Sequence, residues 1–346
     1  MKCKICLLTD DIVKFEGDTC EYCKMHQRLE SEYDPSHLHK MIEKVKTQKG
    51  RYNCLIGISG GFDSAMLLHL ATEWGLKPYV MHFDNGYNTP IAKHNMEVLE
   101  KKTGHIIHYF TMNPNEEAQY KKLCYALLRS GTPDADIAND MIMTDLMYST
   151  AKKLNIKYIL NGHNFRTEGS TPIKFTYMDA KYIKSIFKRF YKERLTLPIF
   201  TFTDQIMYSM SGIKQIRPFY YRDVCPEQDK KFLIEKYGLK DYGDKHAENT
   251  YTHYVGGYLL PKKFKIDKST VYNSARIRSG YKTTTTKPVP DEIIEQMKTE
   301  YPGHFNTKIH PREAYKRYNF KLYKPIIWIL VKINALPYTF YKKYCH

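Results

Sequence analysis

The segment Ser59-Gly60-Gly61-Phe62-Asp63-Ser64 constrains this chain more than any other. It follows Cys54-Leu55-Ile56-Gly57-Ile58, a short apolar run that reads as a buried strand, and precedes residues 65–71, which are helical in composition. A strand that turns through two glycines into a helix leaves backbone amides exposed at the turn and the helix start, where the helix dipole adds positive potential. The segment is therefore a cradle for an anion. Ser59 and Ser64 add hydroxyl donors, and Asp63 either braces the turn or holds magnesium. No Gly-Lys-Ser/Thr follows, so the Walker loop is excluded. A glycine-rich turn with no ligand is the plain alternative.

The surroundings set this turn in an α/β sheet. Residues 79–83, 106–110 and 158–161 read as strands. Helical patterns fall between them over residues 90–103, 115–129 and 137–153, the first opened by Thr89 and Pro90 and closed near Gly104. Such alternation predicts a parallel sheet with helices on both faces and ligands at the carboxyl ends of the strands. The expected organisation is a cysteine-rich module (1–30), a polar connector (31–50), the alternating domain (51–225) and a mostly helical remainder (226–346). No internal repeat is visible.

The cysteines make the second motif. Cys3-x2-Cys6-x13-Cys20-x2-Cys23 pairs two CxxC knuckles at a spacing that closes a four-thiolate zinc site. Such a site is coordinatively full, hence structural; a redox pair or disulfides are the other readings. Cys54, Cys124, Cys225 and Cys345 stand alone. The start carries no signal-peptide core, and free thiols favour a cytoplasmic protein. The longest apolar stretch, residues 325–336, is broken by Lys332 and falls short of the roughly 20 residues of a membrane span. A formal charge of +17 admits either polyanions such as RNA or small phosphorylated and carboxylated molecules as partners.

Other polar groups are expected around the same crevice. Asp84 and Asn85 leave the second strand, either to touch a nucleoside or to form an Asx turn. Asn161 to Gly169 leave the fourth strand at the edge that carries the glycine turn. Asp134 and Asp140 lie near a helix start, and Lys245, His246 and Glu248 come from outside the sheet.

The glycine segment resembles the pyrophosphate loop of the PP-loop ATP pyrophosphatases. Taken in order, six features resemble the N-acetyl sugar amidotransferases, PP-loop enzymes of surface-polysaccharide (LPS) and nonulosonic-acid pathways. They are the cysteine knuckles, the Ser59–Ser64 loop, residues 131–136 with Asp140, and residues 161–169, 242–254 and 258–269. The resemblance implies an α/β fold, a doubly wound parallel sheet of the PP-loop (adenine nucleotide alpha hydrolase-like) type. It implies ATP and Mg2+ besides the structural Zn2+. The implied ligase chemistry adenylylates a sugar N-acetyl oxygen and replaces it with ammonia-derived nitrogen. Implied ammonia donors resemble the glutaminase and cyclase halves of imidazole-glycerol-phosphate synthase. No in-chain glutaminase nucleophile is found: Cys54 precedes the turn, and Cys3 belongs to a knuckle.

On this reading Ser59, Gly60, Gly61, Asp63 and Ser64 hold pyrophosphate and magnesium, and Asp84, Asn85 and Gly162 border the nucleoside. Asp63, Ser64, His163, Arg166 and Glu168 are the catalytic set. Asn164, Arg166, Glu168, Lys245, His246 and Glu248 bind an N-acetylated nucleotide sugar or nonulosonic acid. The chain departs from the pattern after residue 269: Ser269 stands where the family has a basic residue, and residues 282–290 do not form the usual charged helix. The apolar tail with basic flanks, residues 321–346, is a packed helix, a partner dock or a membrane-surface segment.

Two rival readings exist. A tRNA-modifying PP-loop enzyme of the 2-thiouridine synthetase kind shares the loop and would use the positive charge on phosphates. Against it, the chain has no central CxxC for a sulfur relay, and Phe165-Arg166-Thr167-Glu168 follows Gly-His-Asn where thiolation enzymes tend to carry Asp-Asp. The other rival is a non-enzymatic zinc scaffold, which the intact loop argues against.

Overall fold

The structure, a computed structural model, describes residues 1–168, 179–222, 225–305, 322–332 and 341. The paired knuckles fold into a small hairpin of β1 (Phe15–Glu16) and β2 (Thr19–Cys20) that runs directly into helix α1 (Glu21–Glu32). Cys3, Cys6, Leu8, Val13, Cys20 and Cys23 form a small core of their own, completed by Val271 from far along the chain. The expected connector contains α2 (Ser36–Lys46), whose thin apolar stripe docks Ile42 and Val45 into the main core.

Five parallel strands follow: β3 (Cys54–Gly57), β4 (Pro78–Asp84), β5 (Ile107–Thr111), β6 (Tyr158–Leu160) and β7 (Lys214–Ile216), in the spatial order β5-β4-β3-β6-β7. Alternation along the strands sends Leu55, Met81 and Ile159 to one face and Cys54, Ile56, Val80 and Leu160 to the other. Helices α5 (Pro114–Arg129), α6 (Ile137–Lys153) and α7 (Ala180–Phe190) cover the first face. Helices α3 (Phe62–Glu73), α4 (Pro90–Thr103) and α9 (Pro226–Tyr237) cover the second. The α/β, doubly wound architecture is thus the one expected. Caps match the sequence: the Thr89 hydroxyl accepts from Ala92 N, and Gly104 closes α4 at φ 71°.

The three-residue edge strand β7 was not anticipated; too short to show a period, it is fixed by pairing with β6. Short α8 (Phe202–Met210) leads into it. Beyond α9 the remainder is mostly helical: α10 (Thr250–Tyr254), a π-helical stretch (Val255–Phe264), α11 (Lys268–Arg278), α12 (Asp291–Glu300) and α13 (Lys324–Lys332). Within α13, Ile327 and Val331 are buried while Ile326 and Ile329 are exposed, as are Leu322 and Tyr323 just before it; the rest of the apolar tail, Tyr341 aside, lies outside the described residues. No helix among the described residues is long and apolar enough to cross a membrane.

Candidate active site

Chain order reverses across β3: the chain first builds outward through β4 and β5, then returns to lay β6 on the other side. Loops leaving β3 and β6 therefore diverge above a crevice, the place where open α/β sheets bind ligands. The Ser59–Ser64 segment leaves β3 there. Gly60 has a left-handed φ of 81°, and a Cβ on it would lie 2.6 Å from the Ala92 carbonyl oxygen. A Cβ on Gly61 would lie 2.8 Å from Glu248 Oε1. Gly60 is thus required by close approach of backbone, whereas a side chain at position 61 would have to displace the Glu248 carboxylate and the Ser59 and Tyr242 hydroxyls. Ser64 Oγ accepts from Ser59 N at 3.2 Å and donates to the Gly61 carbonyl at 3.0 Å, which ties the turn to the first turn of α3. Asp63 faces Lys245 at 3.1 Å.

The loop after β4 is braced internally. Asp84 Oδ1 accepts from Gly86 N (3.0 Å) and Asn88 Nδ2 (2.9 Å), an Asx turn. Asn85 is buried at the cleft, donating to Asn139 Oδ1 at 2.9 Å and accepting from Tyr87 N and Asn249 Nδ2, each at 3.0 Å. His82, which sequence reasoning passed over, donates from Nδ1 to the Ile58 carbonyl at 2.7 Å and so locks β4 to the glycine turn.

In the loop after β6, Gly162 packs against the backbone of Asp63. His163 Nε2 meets Glu168 Oε2 at 2.9 Å, and its Nδ1 meets the Tyr220 hydroxyl at 2.9 Å. Burial alone would raise the Glu168 carboxyl, but His163 and Lys245 (3.8 Å away) overrule it and hold it well below the usual carboxylate range.

Two expected substrate contacts are corrected. Arg166 is 7% exposed and does not line the cleft: its Nε and Nη2 each reach Glu30 of α1 at 2.7 Å, and Nη1 donates to the carbonyls of Phe219 and Tyr220. An ionised guanidinium this deep takes the carboxylate and carbonyls that satisfy its fork. Asn164 is fully buried beneath the same loop, where its Oδ1 accepts from Arg166 N at 3.1 Å. Both shape the loop from behind.

Residues 242–249 close over the cradle. The Phe62 amide donates to the Tyr242 hydroxyl at 3.1 Å, and the two rings stack. Lys245 stays charged despite burial because Asp63 and Glu168 flank it. His246, at a left-handed φ of 65°, is pushed down to about 3 by burial and by Lys268 and Lys245. Glu248 is pushed up to about 7, by burial and then by Asp63 against the pull of Lys245. Lys268 and Tyr272 of α11 also line the cleft, with Asp134, Asp136 and Asp140 among the acids of its wall. Asp140 is open to the water of the cleft yet enclosed by protein, and burial with Asp136 and Asp134 pushes its carboxyl upward. Sequence reasoning gave Lys268 and Tyr272 no role; their i, i+4 spacing at a helix start was the available signal.

The cleft encloses about 1470 Å3, above the roughly 300–1,000 Å3 of a single-ligand pocket, and so has room for two reactants. One wall is α1, through Tyr22, Met25, His26 and Leu29. That helix starts inside the cysteine cluster. The sulfurs of Cys3 and Cys23, and of Cys6 and Cys20, lie 3.7 Å apart, and all four are within 4.8 Å of one another. A tetrahedral ion with metal–sulfur bonds of about 2.3 Å would set edges of about 3.8 Å. Cys3 Sγ also accepts from the amides of Ile5 (3.5 Å) and Cys20 (3.4 Å), which suits a thiolate. The four thiols can hold one metal ion. Cys124 is buried in the main core, and Cys225 lies elsewhere, beside Arg222 and Ser279.

No family model matches this chain. It is 26% identical over 170 residues to an uncharacterized protein of Methanocaldococcus jannaschii, a match covering 47% of this chain and 59% of that protein. Among solved structures, a similarity is found to the U34-tRNA thiolase NcsA from Methanococcus maripaludis with its [4Fe-4S] cluster. It has 13% identity and a TM-score of 0.27, and covers 87% of this chain and 98% of that one.

Proposed function

We propose that this chain is an ATP-dependent, AMP-forming N-acetyl sugar amidotransferase. The observation that carries the reading is the Ser59–Ser64 turn at the switch point of the sheet, with Gly60 required by a backbone contact and a two-reactant cleft above it. An amide oxygen is a poor leaving group. Attack of that oxygen on the α-phosphorus of ATP breaks the bond to pyrophosphate and gives an O-adenylyl imidate. Ammonia then adds to the imidate carbon, AMP leaves, and the acetamido group becomes acetamidino.

The turn's amides and hydroxyls suit the departing pyrophosphate. Lys245, charged between Asp63 and Glu168, suits the reacting phosphate, and the His163–Glu168 pair suits the proton that ammonia must lose. The closing segment 242–249 excludes water from the activated imidate. Mg2+ would accompany ATP. Zn2+ is the metal that four clustered thiols fit, and its role is to fix α1. Glutaminase- and cyclase-like proteins would deliver the ammonia, and no nucleic-acid partner is invoked.

The test is purified protein with ATP, Mg2+, ammonium and a panel of N-acetylated nucleotide sugars and nonulosonic acids, read as AMP and product mass. AMP release with a mass loss of about one unit supports the reading. AMP released only when tRNA is added overturns it in favour of a tRNA-modifying enzyme.

A further inference from the structure

Helix α13 is apolar on two sides. Ile327 and Val331 are buried on one, which is all that a helix docked on its own protein needs. Leu322, in the turn that leads into the helix, is followed at i+4 and i+7 by Ile326 and Ile329, so the three share a second face, with Tyr323 beside them. These four side chains are 55% to 75% exposed. A contiguous apolar stripe left in water marks a contact surface.

The sequence around this stripe carries one sign of charge. Residues 314–346 hold seven lysines and arginines and no aspartate or glutamate. Lys324 and Lys332 stand exposed at the two ends of α13, each beside an aromatic ring: Tyr341 lies 5.8 Å from Lys324 and Trp328 lies 5.0 Å from Lys332. Lysine, tryptophan and tyrosine are the side chains that suit the boundary between headgroups and acyl chains, where an apolar body is buried and a polar tip stays wet.

Charge and stripe together select the occupant. A nucleic acid would use the lysines but gain nothing from exposed isoleucines. A second copy of this chain would use the isoleucines but bring the same positive field, from a formal charge of +17. A bilayer surface with anionic headgroups uses both. Aliphatic side chains enter the headgroup boundary, and each lysine near such a surface strengthens binding about fivefold. Nine residues of helix are too few to cross a bilayer but can lie along one.

We propose that α13 is an interfacial helix that seats this protein on an anionic membrane surface through Leu322, Tyr323, Ile326 and Ile329. Tyr323, Val331 and Lys332 also line the cleft, so the seated protein opens its cleft beside the bilayer. The inference does not depend on the reaction proposed above.

The experiment is co-sedimentation of the full chain with sucrose-loaded vesicles, either phosphatidylcholine alone or an equimolar mixture with phosphatidylglycerol. The native protein is compared with the double variant Ile326→Ser, Ile329→Ser. Native binding is expected to be at least about tenfold stronger on the mixed vesicles than on phosphatidylcholine. The variant is expected to lose at least about tenfold on the mixed vesicles, with its melting temperature unchanged because both positions are exposed. Equal binding to the two vesicle types, equal binding by the two proteins, or no vesicle binding overturns the inference. So does dimerisation of the native chain that the variant loses, which would give the face to a second copy. Trp328 is one of only two tryptophans, so in a Trp74→Phe background it reports from the helix itself. Should the double variant fail to fold, that signal decides: quenching of Trp328 by brominated acyl chains in the mixed vesicles is expected, and its absence overturns the proposal. None of these outcomes touches the ATP reading.

Discussion

At Gly60 a single methyl group decides whether the loop can exist. Alanine there would meet the Ala92 carbonyl at 2.6 Å while holding a φ of 81°. Gly60→Ala is expected to cost about 1–3 kcal/mol and to weaken nucleotide binding at least about tenfold, checked by thermal melting and by titration calorimetry with α,β-methylene-ATP. Asp63→Ala is expected to abolish ATP-dependent AMP release while the fold persists, because it strips Lys245 of its nearer anion; unchanged turnover would sink the pyrophosphatase reading. Gly60 was legible because a left-handed turn this close to a neighbouring backbone admits few residue types. Arg166 was not: whether an arginine faces a ligand or a buried carboxylate depends on Glu30, 136 residues away, and local sequence carries no trace of that partner.

The element that most exceeds its expected role is α1. It begins at the residue after Cys20, contains Cys23, lines the cleft, and holds Arg166 through Glu30. A metal at the thiols therefore supports the loop that carries His163 and Glu168. About one zinc per chain is expected by metal analysis. Stripping it should speed amide exchange in residues 21–33 and 161–168 and leave β3 protected, as read by hydrogen–deuterium exchange. Equal protection with and without metal would make the knuckle an independent appendage. The elements themselves were largely visible in the sequence, α6 to the residue and α4 through its caps. β7 escaped because three residues cannot show a period.

For the whole molecule, the cleft's charges set the response to pH. Glu168 is held well below its ordinary 4.5 and His246 is pushed to about 3 from 6.5, so the unfolded chain binds protons first on acidification. Their contributions are present at neutral pH and are lost as pH falls, that of His246 from about 6.5 downward and that of Glu168 below about 4.5. Glu248 acts oppositely: the folded state keeps a proton up to about 7 that the unfolded chain releases near 4.5, so rising pH costs stability. Glu248→Gln is expected to raise Tm by about 2–4 °C at pH 8, with a smaller gain at pH 5, by scanning fluorimetry. Free ammonium should support turnover where glutamine alone does not, and glutamine turnover by the isolated chain would contradict the need for a donor protein. The sheet was legible at this scale. The cleft's far wall was not, since it joins residues from both ends of the chain.

That joining sets an order of events during synthesis. The four thiols all lie within residues 3–23, although the small core around them is completed by Val271. Docking of this module waits for Ser274, whose hydroxyl receives the Leu7 amide, and for Ser279, which donates to the Arg166 carbonyl. The four thiols thus lie close together in the chain, while the module they belong to is seated by residues some 267 positions away.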